Sequence, residues 1–182
     1  MYGIINQSIQ QLIITEFGEE TWLKVVQESK LDTTDFENHE VYDDTYTYAL
    51  AEAAAKILNT DINTILNRFG EFWIMDISIK KYPALMYGGG TTLKEFMNNL
   101  PKFHNRVALS YPNLTAPEFK VIDDGNNLQI EYHSQRDGLT PMMNGMLIGL
   151  TKMFNEEKVV VELISNKGEN GLTYDLFRMT WS

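Results

Sequence analysis

Apolar spacing changes once along this chain of 182 residues, after Tyr111-Pro112, and that change limits the fold to helices first and an antiparallel sheet afterwards. Before it, Ile5, Ile9, Leu12 and Ile13 share a helical face, and Gly18 offers a C-terminal stop. Trp22, Val25 and Val26 predict a second helix. Asp43 and Asp44 are N-cap candidates ahead of the alanine-rich "YTYALAEAAAKILNT". Asp61 has the same place before Ile65, Leu66, Phe69, Phe72 and Trp73, in a helix read through "GEFWIMDI". The run "YGGGTTLKEF" breaks the chain, and Thr92 with Glu95 forms a capping box for a helix through Leu93, Phe96, Met97 and Leu100. After the change, "EFKVI" and "NLQIEYHS" flank "DDGN", and "KVVVELIS" and "LTYDLFRMTW" flank "NKGENG". Each pair predicts a hairpin. Between them, Met142, Met143, Met146, Leu147, Leu150 and Phe154 recur at helical spacing. The expectation is a helical part over about 1–112 and a sheet-containing part over about 113–182, with no repeat or linker between them. The two parts should share a core as a single domain.

Composition narrows the chemistry. A net charge of −10 argues against binding nucleic acid or anionic membrane. The absence of cysteine removes disulfides, thiolate metal sites, iron–sulfur clusters and covalent haem attachment through Cys-x-x-Cys-His. Any metal must therefore be held by His or carboxylate. The start "MYGIINQSIQ" lacks the features of a secretory signal, and no stretch reaches the roughly 18 apolar residues of a membrane span, which predicts a soluble cytoplasmic protein.

Three features could carry chemistry. The glycine run lacks the Lys and hydroxyl spacing of a phosphate loop and reads as a connection between helices. His104 follows Phe96 and Leu100 and precedes Val107 at intervals of four, four and three, so its imidazole shares an apolar stripe. It is either a satisfied core residue or a ligand. Pro101 can kink the helix just before it and aim the ring into a cavity. One His cannot close a structural zinc site, but it can be the sole axial ligand of a haem. Finally, "IEYHSQRDG" sets Tyr132, Ser134 and Arg136 at every second position, on one face if the strand continues, with His133, Gln135 and Asp137 on the other. A phenol, a hydroxyl and a guanidinium side by side suit a carboxylate such as a haem propionate. The alternative is a solvent-facing strand end.

Taken together, these features resemble the haem nitric oxide/oxygen binding (H-NOX) family. The helical His104 is followed by Tyr132-x-Ser134-x-Arg136 and then by a helix. The likeness extends through "MYGIIN", "FGEETW" at 17–22, "FGEFW" at 69–73 and "GL" at 138–139. The resemblance implies an α+β fold, with a helical N-terminal subdomain packed on a four-stranded antiparallel sheet that has an inserted helix, and haem between them. It further implies non-covalent haem b, with His104 as the proximal iron ligand, the propionates on Tyr132, Ser134 and Arg136, and Pro117 pressing on the porphyrin. His39 and His133 match no family ligand.

Members of that family that hold O₂ stably place a tyrosine on the helix after the clamp. Here the helix offers Thr140, Pro141, Met142 and Met143, with Met142 expected to face the iron and Ile5 and Leu147 as further walls. Bound O₂ gains much from a hydrogen-bond donor, because negative charge builds on it, whereas NO binds iron tightly without one. The resemblance therefore implies a sensor of NO, binding CO as well and excluding O₂. Trp73 is read as an apolar wall, although its indole N–H is a donor that could favour O₂. NO binding would weaken the bond to His104 and let the subdomains shift. With no output motif, the sensor is expected to act on a separate signalling protein, such as the histidine kinases or cyclic-di-nucleotide enzymes of bacterial relatives, through a basic patch on that partner. Two rival readings are a colourless carrier of apolar ligands and an enzyme. The second lacks a Gly-x-Ser-x-Gly elbow and a distal acid–base His.

Overall fold

The computed structural model describes residues 1–111 and 113–181. Two compact units divide at 69/70.

In the first unit, α1 (Gly3–Phe17) buries Ile4, Ile9, Leu12 and Ile13 and stops at Gly18, whose φ of 85° is costly for any residue with a side chain. Helix α2 (Glu19–Ser29) buries Trp22 and Val25. Helix α3 (Asp44–Ile57) is capped by Asp43, which accepts from the Thr45 N–H at 2.9 Å. Asp44 instead meets the N-terminal ammonium at 2.6 Å. Helix α4 (Ile62–Phe72) begins after Asp61, which accepts from the Thr64 N–H at 3.0 Å, and it runs across the division into the second unit.

The second unit begins at Gly70, ahead of the change from helix to strand, so the helices from 79 to 110 lie in the same unit as the sheet. The reason lies in α7 (Leu93–Ser110), which packs on the first strand, while its Leu93, Phe96, Met97, Leu100 and Phe103 share one apolar core with Leu128, Ile130 and Phe177. The capping box is present with an offset: Thr92 Oγ1 accepts from the Glu95 N–H at 3.2 Å, and the Glu95 carboxylate returns to the N–H and hydroxyl of Thr91. Short helices α5 (Ile79–Lys81) and α6 (Pro83–Tyr87) precede it.

Strands β1 (Glu118–Asp123), β2 (Asn127–His133), β3 (Val160–Ser165) and β4 (Asp175–Thr180) form an antiparallel sheet in the order β1-β2-β4-β3, from the two predicted hairpins. Alternation sends Leu128, Ile130 and Tyr132 of β2 inward, opposite Met179, Phe177 and Asp175 of β4. The inserted helix α8 (Thr140–Met153) lies close to α4, because Gly70 and Gly149 leave room. A Cβ on Gly70 would stand 2.0 Å from the Met142 carbonyl oxygen, and one on Gly149 would stand 2.8 Å from Ile74 Cβ.

Two expectations need correction. The helix read through Trp73 becomes π-helical over Trp73–Ser78. Such a turn keeps the same residue types facing inward and differs only in its hydrogen-bond reach, so apolar spacing does not announce it. Strand β2 also ends at His133, one residue short of Ser134. The Ser134 hydroxyl accepts from the Arg136 N–H at 3.1 Å, and Gly138 follows at φ 78°, so a side-chain-closed turn replaces the ladder.

Candidate functional site

Helix α7 carries His104 on its inward stripe, half-buried between aromatic rings. The imidazole lies 5.5 Å from the Phe103 ring and 4.6 Å from the Phe119 ring, and Phe119 lies 5.5 Å from Tyr132. A ladder of rings thus connects the helical His to strand β2. Nδ1 faces the Leu100 carbonyl oxygen at a long 3.4 Å. That oxygen can only accept, so the neutral ring carries its proton on Nδ1 and leaves Nε2 as a bare lone pair. Among the described residues no hydrogen-bond partner reaches Nε2. Burial pushes the His104 pKa down to about 4, against a weak upward pull from the Leu100 carbonyl. The ring is neutral at neutral pH, the state in which imidazole binds a metal.

Tyr132 is buried at the end of β2, and burial raises its pKa; a hydrogen bond with Ser134 opposes the rise and the Asp175 charge adds to it. The phenol stays protonated. Arg136, in the turn beyond β2, donates from Nη1 to the Thr115 carbonyl at 2.8 Å. This bond brings the segment before β1, with half-buried Pro117, beside the turn. The structure therefore gathers His104, Tyr132, Ser134, Arg136 and Pro117 into one region of the second unit. Strand alternation does not explain the gathering of Ser134 and Arg136; the turn does.

On α8, Met143 and Leu147 lie in the apolar core with Phe96 and Phe103, and half-buried Trp73 packs against that core. Met142 is buried as well, with its carbonyl against Gly70. Ile5 belongs to the first unit and is half-buried there on α1. His133 turns outward, 3.2 Å from Glu131 and 4.8 Å from the Tyr174 ring, and His39 is exposed. Phe119 was not singled out in the sequence, although the alternation of "EFKVI" puts it on the face of Val121 and hence toward the core. Among the described residues no three His, Asp or Glu side chains come together to hold a metal ion. A metal at His104 would need its other ligands from a cofactor.

The unit is an α+β one in which a neutral imidazole on a helix is joined through Phe119 to the strand that leads into a turn bearing Ser134 and Arg136. A family model described as Haem-NO-binding matches residues 2–163, and the chain belongs to that family of haem-based gas sensors, which is not a catalytic one. It is 26% identical over 155 residues to soluble guanylate cyclase 89Db of Drosophila melanogaster, covering 85% of this chain and 23% of that protein. It is 29% identical over 158 residues to soluble guanylate cyclase gcy-32 of Caenorhabditis elegans, covering 84% and 23%. The chain spans about a quarter of the length of the curated relatives it matches. Its fold is similar to the crystal structure of the Fe(II) unliganded H-NOX protein from K. algicida, with a TM-score of 0.83 and 22% identity over 99% of this chain and 96% of that one. It is equally similar to an H-NOX protein from S. oneidensis in the Fe(II)NO state, with a TM-score of 0.83 and 16% identity over 100% and 99%.

Proposed function

We propose that this chain binds non-covalent haem b through His104 and senses NO in preference to O₂. The observation that carries the reading is the His104 imidazole, seated among aromatic rings with Nδ1 against the Leu100 carbonyl, which leaves the Nε2 lone pair for a metal. With no cysteine in the chain, haem would be held without thioether bonds. Bound haem would supply a ferrous iron able to take up a diatomic gas, and His104 Nε2 would hold the iron.

The remaining roles fall to this chain's side chains. Arg136 would grip a propionate through its planar fork, and the Tyr132 phenol and Ser134 hydroxyl would each donate to the same group of oxygens. Pro117 would press on the porphyrin, while Met142, Leu147 and Trp73 would wall the gas pocket. Both hydroxyls of α8 are already committed: Thr140 donates to Asp175 at 2.6 Å and Thr151 donates to the Ile148 carbonyl at 2.8 Å. Neither is left to stabilise the negative charge that builds on bound O₂, and this favours NO, and CO, over O₂. The gas signal would pass to a signalling protein, such as a histidine kinase or a cyclic-di-nucleotide enzyme; the naming of the relatives as guanylate cyclases supports an output in cyclic-nucleotide chemistry. With 25 acidic against 15 basic residues, the chain favours a partner face rich in Lys and Arg.

Haem-loaded protein reduced without oxygen tests the ligand preference. The Soret band is expected to move on addition of NO and to stay in place during brief exposure to air. A stable oxy spectrum in air would overturn the NO preference and make Trp73 the donor to examine next.

A further inference from the structure

Asp175, only 5% exposed, stands on β4 opposite Tyr132. Its two oxygens are divided between two distant segments. Oδ1 accepts from the Lys167 backbone N–H at 2.7 Å, and Oδ2 accepts from the hydroxyl of Thr140, the first residue of α8, at 2.6 Å. Lys167 lies in the connection between β3 and β4, and its side chain turns back over the turn that follows β2. Its ammonium donates to the Ser134 carbonyl at 3.1 Å and to the Asp137 carboxylate at 2.8 Å. One hydrogen-bonded path therefore runs from the start of α8 through Asp175 and Lys167 to the turn that contains Arg136.

Lys167 joins the other bonds of this turn, from the Arg136 N–H to the Ser134 hydroxyl and from the Arg136 guanidinium to the Thr115 carbonyl. Gln135, Asp137 and Gly138 are exposed, and Gly138 sits at φ 78°. Lys167 spans it from Ser134 to Asp137, across the residue whose guanidinium would meet a carboxylate. Ordering a flexible turn on ligand binding costs entropy, and a turn already closed avoids most of that cost. Lys167 also adds a positive charge beside the place proposed for two carboxylates. An exposed ammonium–carboxylate pair contributes little to global stability, so the effect of Lys167 on a ligand can be separated from its effect on folding.

We propose that Lys167, held in place by Asp175, is a positioning residue of the carboxylate clamp: it fixes the 134–138 turn so that Ser134 and Arg136 meet the propionates preformed. This rests on the haem reading above. The test titrates haem-free protein with haem and, separately, with haem dimethyl ester, whose propionate charges are removed, for the unsubstituted chain, Lys167→Met and Lys167→Arg. Lys167→Met is expected to weaken haem binding roughly 10-fold, to leave ester binding and the melting temperature of the haem-free protein unchanged, and to be largely rescued by Lys167→Arg. In the haem-free protein, Lys167→Met is also expected to speed exchange of the Arg136 amide hydrogen, which the Ser134 hydroxyl now holds. Unchanged haem affinity in Lys167→Met, or equal weakening of both ligands, would overturn the positioning role while leaving the haem reading intact. Failure of the unsubstituted chain to prefer haem over its ester would remove the clamp itself, and failure to bind either would remove the haem reading.

Discussion

Haem-free protein is expected to lose folding stability on the order of 3 kcal/mol as the pH falls from about 6.5 to about 4, through His104 alone. In the unfolded chain the imidazole takes up a proton near its ordinary pKa, whereas in the folded chain burial holds the pKa at about 4. Between those values the unfolded state binds more protons, so stability rises with pH; it is complete above the unfolded pKa and is lost as pH falls toward the folded one. Carboxylates with lowered pKa values, such as Asp43, Asp61 and Asp123, also destabilise the fold in acid, but only once the pH approaches their own ordinary values near 4. Urea unfolding of the unsubstituted chain and of His104→Leu at several pH values between 7 and 4 separates the two effects. The variant is expected to show a flatter dependence between 6.5 and 4. Parallel slopes would mean that the imidazole is hydrated in solution and is not held neutral by its surroundings.

Gly70→Ala is expected to cost about 2 kcal/mol, although alanine is the better helix former by about 1 kcal/mol. The new Cβ would stand 2.0 Å from the Met142 carbonyl oxygen and 2.8 Å from the Met146 nitrogen. Both are backbone atoms of α8 and cannot swing aside as a side-chain tip can, so α8 itself would have to move. For a chain of this length the thermal midpoint should drop by roughly 4–8 °C, measured by circular dichroism on the haem-free protein. An unchanged or raised midpoint would show that α8 yields easily. The displaced helix carries Met142, Met143 and Leu147, so the same variant should also alter gas binding in haem-loaded protein.

Much of the fold was legible because its signals are local. Asp43, Asp61 and Thr92 cap helices where their side chains predicted, Gly18 ends one, and "DDGN" turns a hairpin. The π-helical stretch after Phe72 was not legible, since Ile74 and Ile77 are buried whether the turn closes over four residues or five. The end of β2 was hidden for a related reason: polar alternation through Ser134 and Arg136 mimics a strand, while the Ser134 hydroxyl closes a turn there. Candidate site residues were found by pattern and family likeness. Lys167 and Asp175 could not be, because what joins them to the turn is a contact over 30 to 35 residues and no spacing rule reaches that far. Phe119 lay between these cases: its inward face was readable from alternation, but its place between His104 and Tyr132 depends on how α7 crosses β1.

The bond proposed between His104 Nε2 and haem iron underlies every other role assigned to the site. It is tested most directly by the absorption spectrum of ferrous, haem-loaded protein beside that of His104→Ala, each without and with added imidazole. A stoichiometric haem complex is expected in the unsubstituted chain, with a lost or shifted Soret band in His104→Ala and return of the original spectrum when imidazole takes the place of the missing ring. A spectrum indifferent to His104→Ala would contradict the proposed bond, and so would an unsubstituted chain that takes up no haem.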